Sequence, residues 1–246
     1  MLKFRLAILF LLASLTLLNA EQTAEQIIQK VDKNMRGKNL YTQMKMSITS
    51  QGHTRSMVMR IWAEGNKKSF VKTIYPPRDR GITFLSLDNQ MWQYIPKIER
   101  IIKIPPSMML QKWMGSDITN DDIARRSSIV DDYDAKILQT QGNIVTIELL
   151  PKEDAAVVWG KIISHIDTSN YTNTKDVFYD EEGIEVRTFT YENVKKYGDY
   201  FLPTYWKITP SDKKDGFTEI TIEDVKYDTK ISQQYFNKSA LKRFSR

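Results

Sequence analysis

Short segments in which apolar and polar residues alternate recur along most of this 246-residue chain, at near-regular spacing and separated by polar turns. In residues 43–48 and 56–61, methionine or isoleucine occupies every second position, and Gln51-Gly52 lies between the two runs. A period of two indicates half-buried strands, and the turn predicts a hairpin. The same reasoning predicts strands at residues 69–75, 83–87, 91–95, 100–104, 133–139, 143–150, 161–167, 175–179, 184–191, 201–209 and 217–227. About a dozen short strands at this spacing indicate a barrel or a sandwich.

Helical patterns occur only near the start, in the middle and at the end. Glu21–Arg36 has apolar residues at helical spacing, and Thr23 is followed three residues later by Gln26, which resembles a capping box. Ser107–Met114 follows Pro105-Pro106 and is predicted to be a short apolar helix, either a fixed part of the core or a lid over a cavity. Two more short helices are predicted at Asn120–Arg126 and Ser232–Phe244.

The first twenty residues differ in composition from the rest. Lys3 and Arg5 form a basic start, Leu6–Leu18 is largely apolar, and Ala20 is a small residue of the kind that signal peptidases require. This pattern predicts a secretory signal peptide, residues 1–20, cleaved after Ala20 to leave a single domain at 21–246. The alternative is a membrane anchor, but a spanning helix needs about 20 apolar residues and this run is shorter.

Composition excludes several classes of protein. The chain has no cysteine, which removes disulfides, thiolate catalysis and cysteine-ligated metals. Its two histidines, His53 and His165, are far apart in sequence and do not suggest a metal site. The net charge of +6 is modest and spread along the chain, short of the footprint of a nucleic-acid-binding protein. We therefore expect no metal, no cofactor and no nucleic-acid partner.

The sequence contains no recognised catalytic motif of the Gly-x-Ser-x-Gly, Walker or His-Glu-x-x-His type. Ser116 lies beside Asp117, but no histidine is near in sequence, and a turn or capping role explains the pair better. Acidic clusters at residues 117–122 and 131–134 do not have the spacing of a calcium loop, and acids at helix starts need no further role. We expect that the protein is not an enzyme.

Four segments carry a family resemblance. In order along the chain they are Trp62-Ala-Glu-Gly65, Tyr75-Pro-Pro77 with Arg80-Gly81, Met91-Trp-Gln-Tyr-Ile-Pro96, and Met114-Gly-Ser-Asp-Ile-Thr-Asn-Asp-Asp-Ile123. This order resembles the outer-membrane lipoprotein-sorting family, the LolA/LolB-like group of periplasmic carriers, and the broad LolA-like branch more than LolA itself. The resemblance implies an incomplete, half-open antiparallel β-barrel of about eleven strands, with a few short helices covering its concave face. The resemblance does not assign a lid role to any individual residue of this sequence.

Apolar side chains of flexible shape are the positive functional signal. Eight of the ten methionines lie between Met44 and Met114. Methionine adapts to ligands of varying shape, although the same residues can equally fill a core. Together with the resemblance, they predict an acyl-chain cavity lined by Met44, Met46, Met57, Met59, Phe84, Met91, Trp92, Tyr94, Met108, Met109, Trp113 and Met114.

The resemblance implies a monomeric periplasmic carrier that binds the acyl chains of lipoproteins, or of lipids, and moves them from the inner to the outer membrane. An inner-membrane permease or transporter is the expected partner. The alternative is a lipid-binding sensor or accessory module of such a transporter, since one fold supports several functions. A hydrolase of envelope lipids is a third hypothesis, disfavoured because the catalytic groups are missing.

Overall fold

Thirteen antiparallel strands form one sheet in this computed structural model, which describes residues 22–88, 90–124, 129–155 and 157–246. The strands are β1 (Asn39–Ser50), β2 (His53–Glu64), β3 (Lys68–Tyr75), β4 (Thr83–Leu87), β5 (Gln90–Ile95), β6 (Arg100–Ile104), β7 (Tyr133–Gln141), β8 (Ile144–Pro151), β9 (Lys161–Asp167), β10 (Thr172–Tyr179), β11 (Glu185–Tyr197), β12 (Tyr200–Pro210) and β13 (Phe217–Tyr227). Their order across the sheet is β6-β5-β4-β3-β2-β1-β13-β12-β11-β10-β9-β8-β7. A first meander, β1–β6, and a second meander, β7–β13, therefore lie side by side and join where β1 pairs with β13, with Met46 opposite Ile220.

The sheet is open, because β6 and β7 form its two edges and do not pair with each other within the described residues. The prediction of a mainly β, half-open antiparallel barrel is confirmed. The strand number is thirteen rather than about eleven. Each of the thirteen alternating segments found in the sequence overlaps one of these strands.

Helix α1 (Ala24–Arg36) packs on one face of this sheet, where it contacts β7, β10 and β12. Thr23 and Gln26 form the predicted capping box, in which each side chain accepts a hydrogen bond from the other residue's backbone nitrogen, at 3.3 and 3.2 Å. The apolar stripe that includes Ile28 and Val31 is buried, as its helical spacing predicts. The helix that the sequence predicts is therefore confirmed from residue 24 onward.

The prediction of a helix at Ser107–Met114 is wrong. The structure has two 3-10 turns, Pro106–Met108 and Trp113–Gly115, with extended backbone at Lys112 between them. Part of the backbone here bonds across a loop to residues 118–121 rather than along a helix: Trp113 N donates to Ile118 O at 2.7 Å, and Met109 O accepts from Asp121 N at 2.9 Å. Trp113 is buried against Phe84, with ring centroids 5.2 Å apart.

Two short helices follow this loop, α2 (Asn120–Ala124) and α3 (Ile129–Asp132). Thr119 caps the first of them: its Oγ1 accepts from Asp122 N at 3.2 Å, and the Asp122 carboxylate accepts from Thr119 N at 2.7 Å in return. The predicted helix Asn120–Arg126 is confirmed as far as Ala124, and residues 125–128 lie outside the described part of the chain.

A second apolar cluster lies on the face of the sheet opposite the main core. Trp92 and Tyr94 on β5 belong to it, whereas Met91 belongs to the main core, because successive strand residues point to opposite faces. The chain end covers this cluster with a 3-10 turn, Gln233–Tyr235, and helix α4 (Lys238–Arg243). Thr83 Oγ1 donates to Leu241 O at 2.7 Å and ties α4 to the sheet. The single helix predicted at Ser232–Phe244 is thus divided in two.

The predicted signal peptide, residues 1–20, lies outside the described residues. Within the described ranges, no helix combines the length and apolar character needed to cross a bilayer.

Candidate ligand cavity

A cavity of about 200 Å³ lies between α1 and the sheet. Ile28, Val31 and Met35 of α1 form one wall, and a second wall is formed by Ile118, residues 121–123, Ile129 and Tyr133. Strands β8–β12 form the third and most aromatic wall. It consists of Leu149, Ile162, Phe178, Phe189 and Trp206, together with Trp159 from the loop before β9. The wall is largely apolar, as expected of a site that holds a hydrocarbon ligand.

Of the twelve residues that the sequence assigns to an acyl-chain site, the structure places Met44 in the wall of this cavity. The others are packed elsewhere. Met46, Met57, Met59, Phe84, Met91, Met109 and Trp113 are buried in the main core, Met108 and Met114 pack at its margin, and Trp92 and Tyr94 lie in the cluster on the opposite face. Met46, Met57 and Met59 are therefore packed in the core of β1 and β2, and Met44 is the methionine of these two strands that lines the cavity.

Sequence reasoning did not single out the second meander, which supplies most of the cavity wall. Ile162 on β9 and Phe178 on β10 are apolar positions of ordinary alternating strands. Nothing in that pattern separates a residue that faces empty space from one that faces another side chain. The sequence signal was the aromatic content of this half, in particular Trp159, Phe178, Phe189 and Trp206.

One corner of the cavity is polar. Asp176 on β10 is buried and accepts hydrogen bonds from Asn173 Nδ2 and from Tyr191 Oη, both at 2.7 Å. Ser164 also hydrogen-bonds to it, and all four residues line the cavity. Burial raises the pKa of Asp176, although these hydrogen bonds partly oppose the shift. This corner can hydrogen-bond to a polar group within or at the end of an apolar ligand chain.

A buried arginine joins the loop side of the cavity to the sheet. Arg187 on β11 donates from Nη1 and Nη2 to the two carboxylate oxygens of Asp122, at 2.6 and 2.5 Å, and its Nη1 also donates to Asp117 O at 3.1 Å. Three aromatic rings surround the guanidinium, with the ring centroids of Trp159, Phe178 and Phe189 at 4.2, 4.5 and 4.9 Å from its central carbon.

The electrostatics of this contact stabilise the ionised carboxylate. Burial opposes ionisation of Asp122, but the charge and hydrogen bonds of Arg187 outweigh it, and the pKa of Asp122 is lowered. The pair therefore holds α2, and with it Asp121 and Ile123 of the cavity wall, against the aromatic wall of the sheet.

Ser116 and Asp117 belong to a buried turn beside this contact. Ser116 Oγ donates to Trp113 O at 2.7 Å and accepts from Ile118 N at 3.2 Å. Asp117 binds Lys213 at 2.7 Å and Thr218 Oγ1 at 2.9 Å. Burial opposes ionisation of Asp117, but these hydrogen bonds, with one from Lys112, outweigh it and lower its pKa. These contacts account for both residues as structural, and within the described ranges no group of acids and histidines could hold a metal ion.

Comparison with known proteins identifies the fold. Residues 65–243 match a protein-family model described as "-like: Uncharacterized protein". No curated protein matches the chain significantly.

Three solved structures are similar over nearly their whole length. A DUF1329 family protein from Desulfovibrio piger has a TM-score of 0.82 at 20% identity, covering 89% of this chain and 97% of its own. An outer membrane lipoprotein-sorting protein domain, as it is described, from Vibrio parahaemolyticus has a TM-score of 0.79 at 22% identity, covering 89% and 98%. A LolA superfamily protein from Nitrosomonas europaea has a TM-score of 0.74 at 21% identity, covering 89% and 100%. The LolA-like fold that the resemblance implied is confirmed.

Proposed function

The chain belongs to the family whose model matches residues 65–243. From this membership, together with the LolA-like fold and the cavity beneath α1, we propose that the protein is a periplasmic, non-enzymatic carrier of acylated molecules. Its cargo is the acyl chain of a lipoprotein or a lipid, moved from the inner to the outer membrane. The names of two similar structures, lipoprotein-sorting domain and LolA superfamily protein, support this class of cargo.

The observation that carries the proposal is the apolar cavity of about 200 Å³ between α1 and β8–β12. A cavity of roughly 150 Å³ holds a benzene molecule, so this one accommodates a chain segment of roughly eight carbons. Burying each methylene is worth ~0.8 kcal/mol, or about 6 kcal/mol for such a segment. Part of this is offset by the entropy of association, which gives the moderate affinity that a carrier needs in order to release its cargo.

A complete acyl chain is longer than this segment, so helices α1 and α2 would have to move apart to admit it. Both helices are attached to the sheet by side-chain contacts rather than by strand pairing. The polar corner at Asp176 would then receive the ester, amide or hydroxyl group at the end of the chain. An inner-membrane permease would supply the cargo, and a second partner or membrane would accept it.

A matched pair of substitutions on β9 tests the cavity. Ile162 and Ile166 are both buried on the same face of this strand, but only Ile162 lines the cavity. Ile162→Trp should fill empty space and weaken binding of a fluorescent palmitoyl probe at least tenfold. Ile166→Trp should leave probe affinity within about twofold while lowering stability by about 1–3 kcal/mol, because it enlarges a side chain where no space exists.

Circular dichroism and urea unfolding establish that both variants fold. Equal probe affinity of folded wild type and Ile162→Trp would exclude this cavity as the acyl site. Mass spectrometry of molecules that copurify with the periplasmic protein identifies the cargo. Isolation in a stable complex with a permease and without lipid would instead support the accessory-module role.

A further inference from the structure

The edge strand β6 exposes branched apolar side chains on both of its faces. Four of its five residues are exposed, including Ile101 at 43% and Ile102 at 38%, and Ile98 in the preceding turn is 53% exposed. Successive residues on a strand point to opposite faces, so the two adjacent isoleucines lie on either side of the sheet. Exposed apolar edges are normally avoided in soluble proteins, since they promote association.

Positive charges alternate with these isoleucines. Lys97, Arg100 and Lys103 lie within the same seven residues, against a single acid, Glu99. The chain end adds to this charge. Lys238 of α4 and Lys103 of β6 both stack on the ring of Trp92, at 4.7 and 5.8 Å from its centroid, and so occupy one surface.

The end of the chain also approaches the start of this edge. A Cβ on Gly81 would overlap the backbone oxygen of Ser245 and would lie 3.4 Å from the ring of Pro96, so residue 245 lies beside the residue that precedes Lys97. The last eight residues include Lys242, Arg243 and Arg246. We define the β6 edge as residues 97–103 together with Lys238.

We propose that the β6 edge docks the protein on the surface of an anionic lipid bilayer. The isoleucines would enter the boundary between head groups and acyl chains, and the cations would face anionic head groups. A bilayer fits these observations better than a peptide strand does. An added strand would pair with the backbone of β6 and cover it, yet it would leave the isoleucines of both faces in water. A bilayer surrounds both faces and matches the charge.

The test is cosedimentation of the full mature protein with vesicles of phosphatidylglycerol and phosphatidylethanolamine, compared with vesicles of phosphatidylcholine. Each basic residue near an anionic surface strengthens binding roughly fivefold, so Arg100→Glu with Lys103→Glu should weaken binding to anionic vesicles by more than tenfold. Binding should also weaken as salt is added. Ile101→Ser with Ile102→Ser should weaken it to a similar extent by removing apolar insertion.

The opposite edge of the sheet provides matched controls. Leu138 and Leu150 are exposed to a similar degree, 48% and 44%, on β7 and β8. Leu138→Ser with Leu150→Ser should leave vesicle binding within about twofold. So should Lys136→Glu on β7 with Lys195→Glu on β11, since both lysines are exposed and neither lies on β6. All four altered residues of the β6 edge are exposed, so circular dichroism should show an unchanged fold.

Three results would overturn the proposal: no binding of the wild type to anionic vesicles, equal loss in the control variants, or a solution dimer that is dissociated by the β6 substitutions. The last would assign the edge to pairing between copies. Probe binding in solution should remain unchanged in the β6 variants, so failure of membrane docking and failure of the acyl cavity are measured separately.

Discussion

Loss of the Asp122 carboxylate should destabilise the protein far more than loss of an exposed ion pair. Arg187 is 2% exposed and binds Asp122 through two hydrogen bonds. Removing one partner of a buried pair leaves the other charge uncompensated, at a cost of about 3–5 kcal/mol. The lower end applies to Asp122→Ala, because the Asp122 side chain is partly exposed and Arg187 keeps its bond to Asp117 O and its three aromatic neighbours.

The assay is urea unfolding followed by circular dichroism, with thermal unfolding as a second measure. A loss of about 3 kcal/mol corresponds to roughly 6–12 °C in Tm for a domain of this size. Glu64→Ala serves as control, because Glu64 forms a partly exposed ion pair with Lys68 at 2.8 Å, with the two side chains 30% and 38% exposed. This substitution should cost at most about 1 kcal/mol.

A double variant without either charge tests whether the cost comes from an uncompensated buried charge. Arg187→Met combined with Asp122→Leu removes both charges and keeps apolar volume, so the double variant should recover most of the stability lost in Asp122→Ala. The contribution of the carboxylate should be present above its ordinary pKa of 3.8 and lost as pH falls through the lower value in the folded protein. Equal effects of Asp122→Ala and Glu64→Ala, or a double variant no more stable than Asp122→Ala, would refute the reasoning.

Three further predictions concern other buried residues. The pKa of Asp176 is raised in the folded protein, so between pH 3.8 and that higher value the folded state binds a proton that the unfolded state has lost, and wild-type stability should fall as pH rises through this window. Urea unfolding of Asp176→Asn should show no such fall. A stability difference between wild type and Asp176→Asn that stays constant with pH would contradict this. Leu241→Ala should cost about 2–5 kcal/mol in urea unfolding, since Leu241 is fully buried between α4 and the sheet, and a cost below 1 kcal/mol would mean that α4 contributes little. Met46→Glu should prevent folding or reduce stability severely rather than selectively weaken probe binding, because Met46 is fully buried in the core and a carboxylate there has no partner. A folded variant with normal stability, measured by circular dichroism, would contradict this.

Local patterns in the sequence determine much of the fold. Alternation with a period of two marks strands such as β1, β2 and β9, because a strand that buries one face must place apolar residues at every second position. The capping box at Thr23 and Gln26 marks the start of α1, because both partners lie within one turn of helix. These signals depend on residues a few positions apart, so they are legible without the tertiary structure.

The position of the cavity was decided only by the tertiary structure. Met44 and Met46 are two residues apart on one face of β1, yet Met44 lines the cavity and Met46 is fully packed. Alternation predicts which face of the sheet a side chain occupies. Whether that side chain contacts another side chain or lines an empty space depends on where α1 and α2 pack on the sheet. The helix predicted at Ser107–Met114 failed for a related reason, since Trp113 N and the carbonyls of Met109 and Gln111 hydrogen-bond to the backbone of residues 118–121 instead of along a helix.

The same distinction applies to the charged groups. Asp122 and Arg187 are separated by 65 residues, and neither has a sequence context that identifies the other as its partner. The fold brings them together because the Asp122 side chain of α2 reaches Arg187 on β11, and the aromatic rings of Trp159, Phe178 and Phe189 enclose the arginine. Sequence alone determined which segments are strands and which faces they bury; the packing of two meanders and a helix decided which buried residues enclose a space for a ligand.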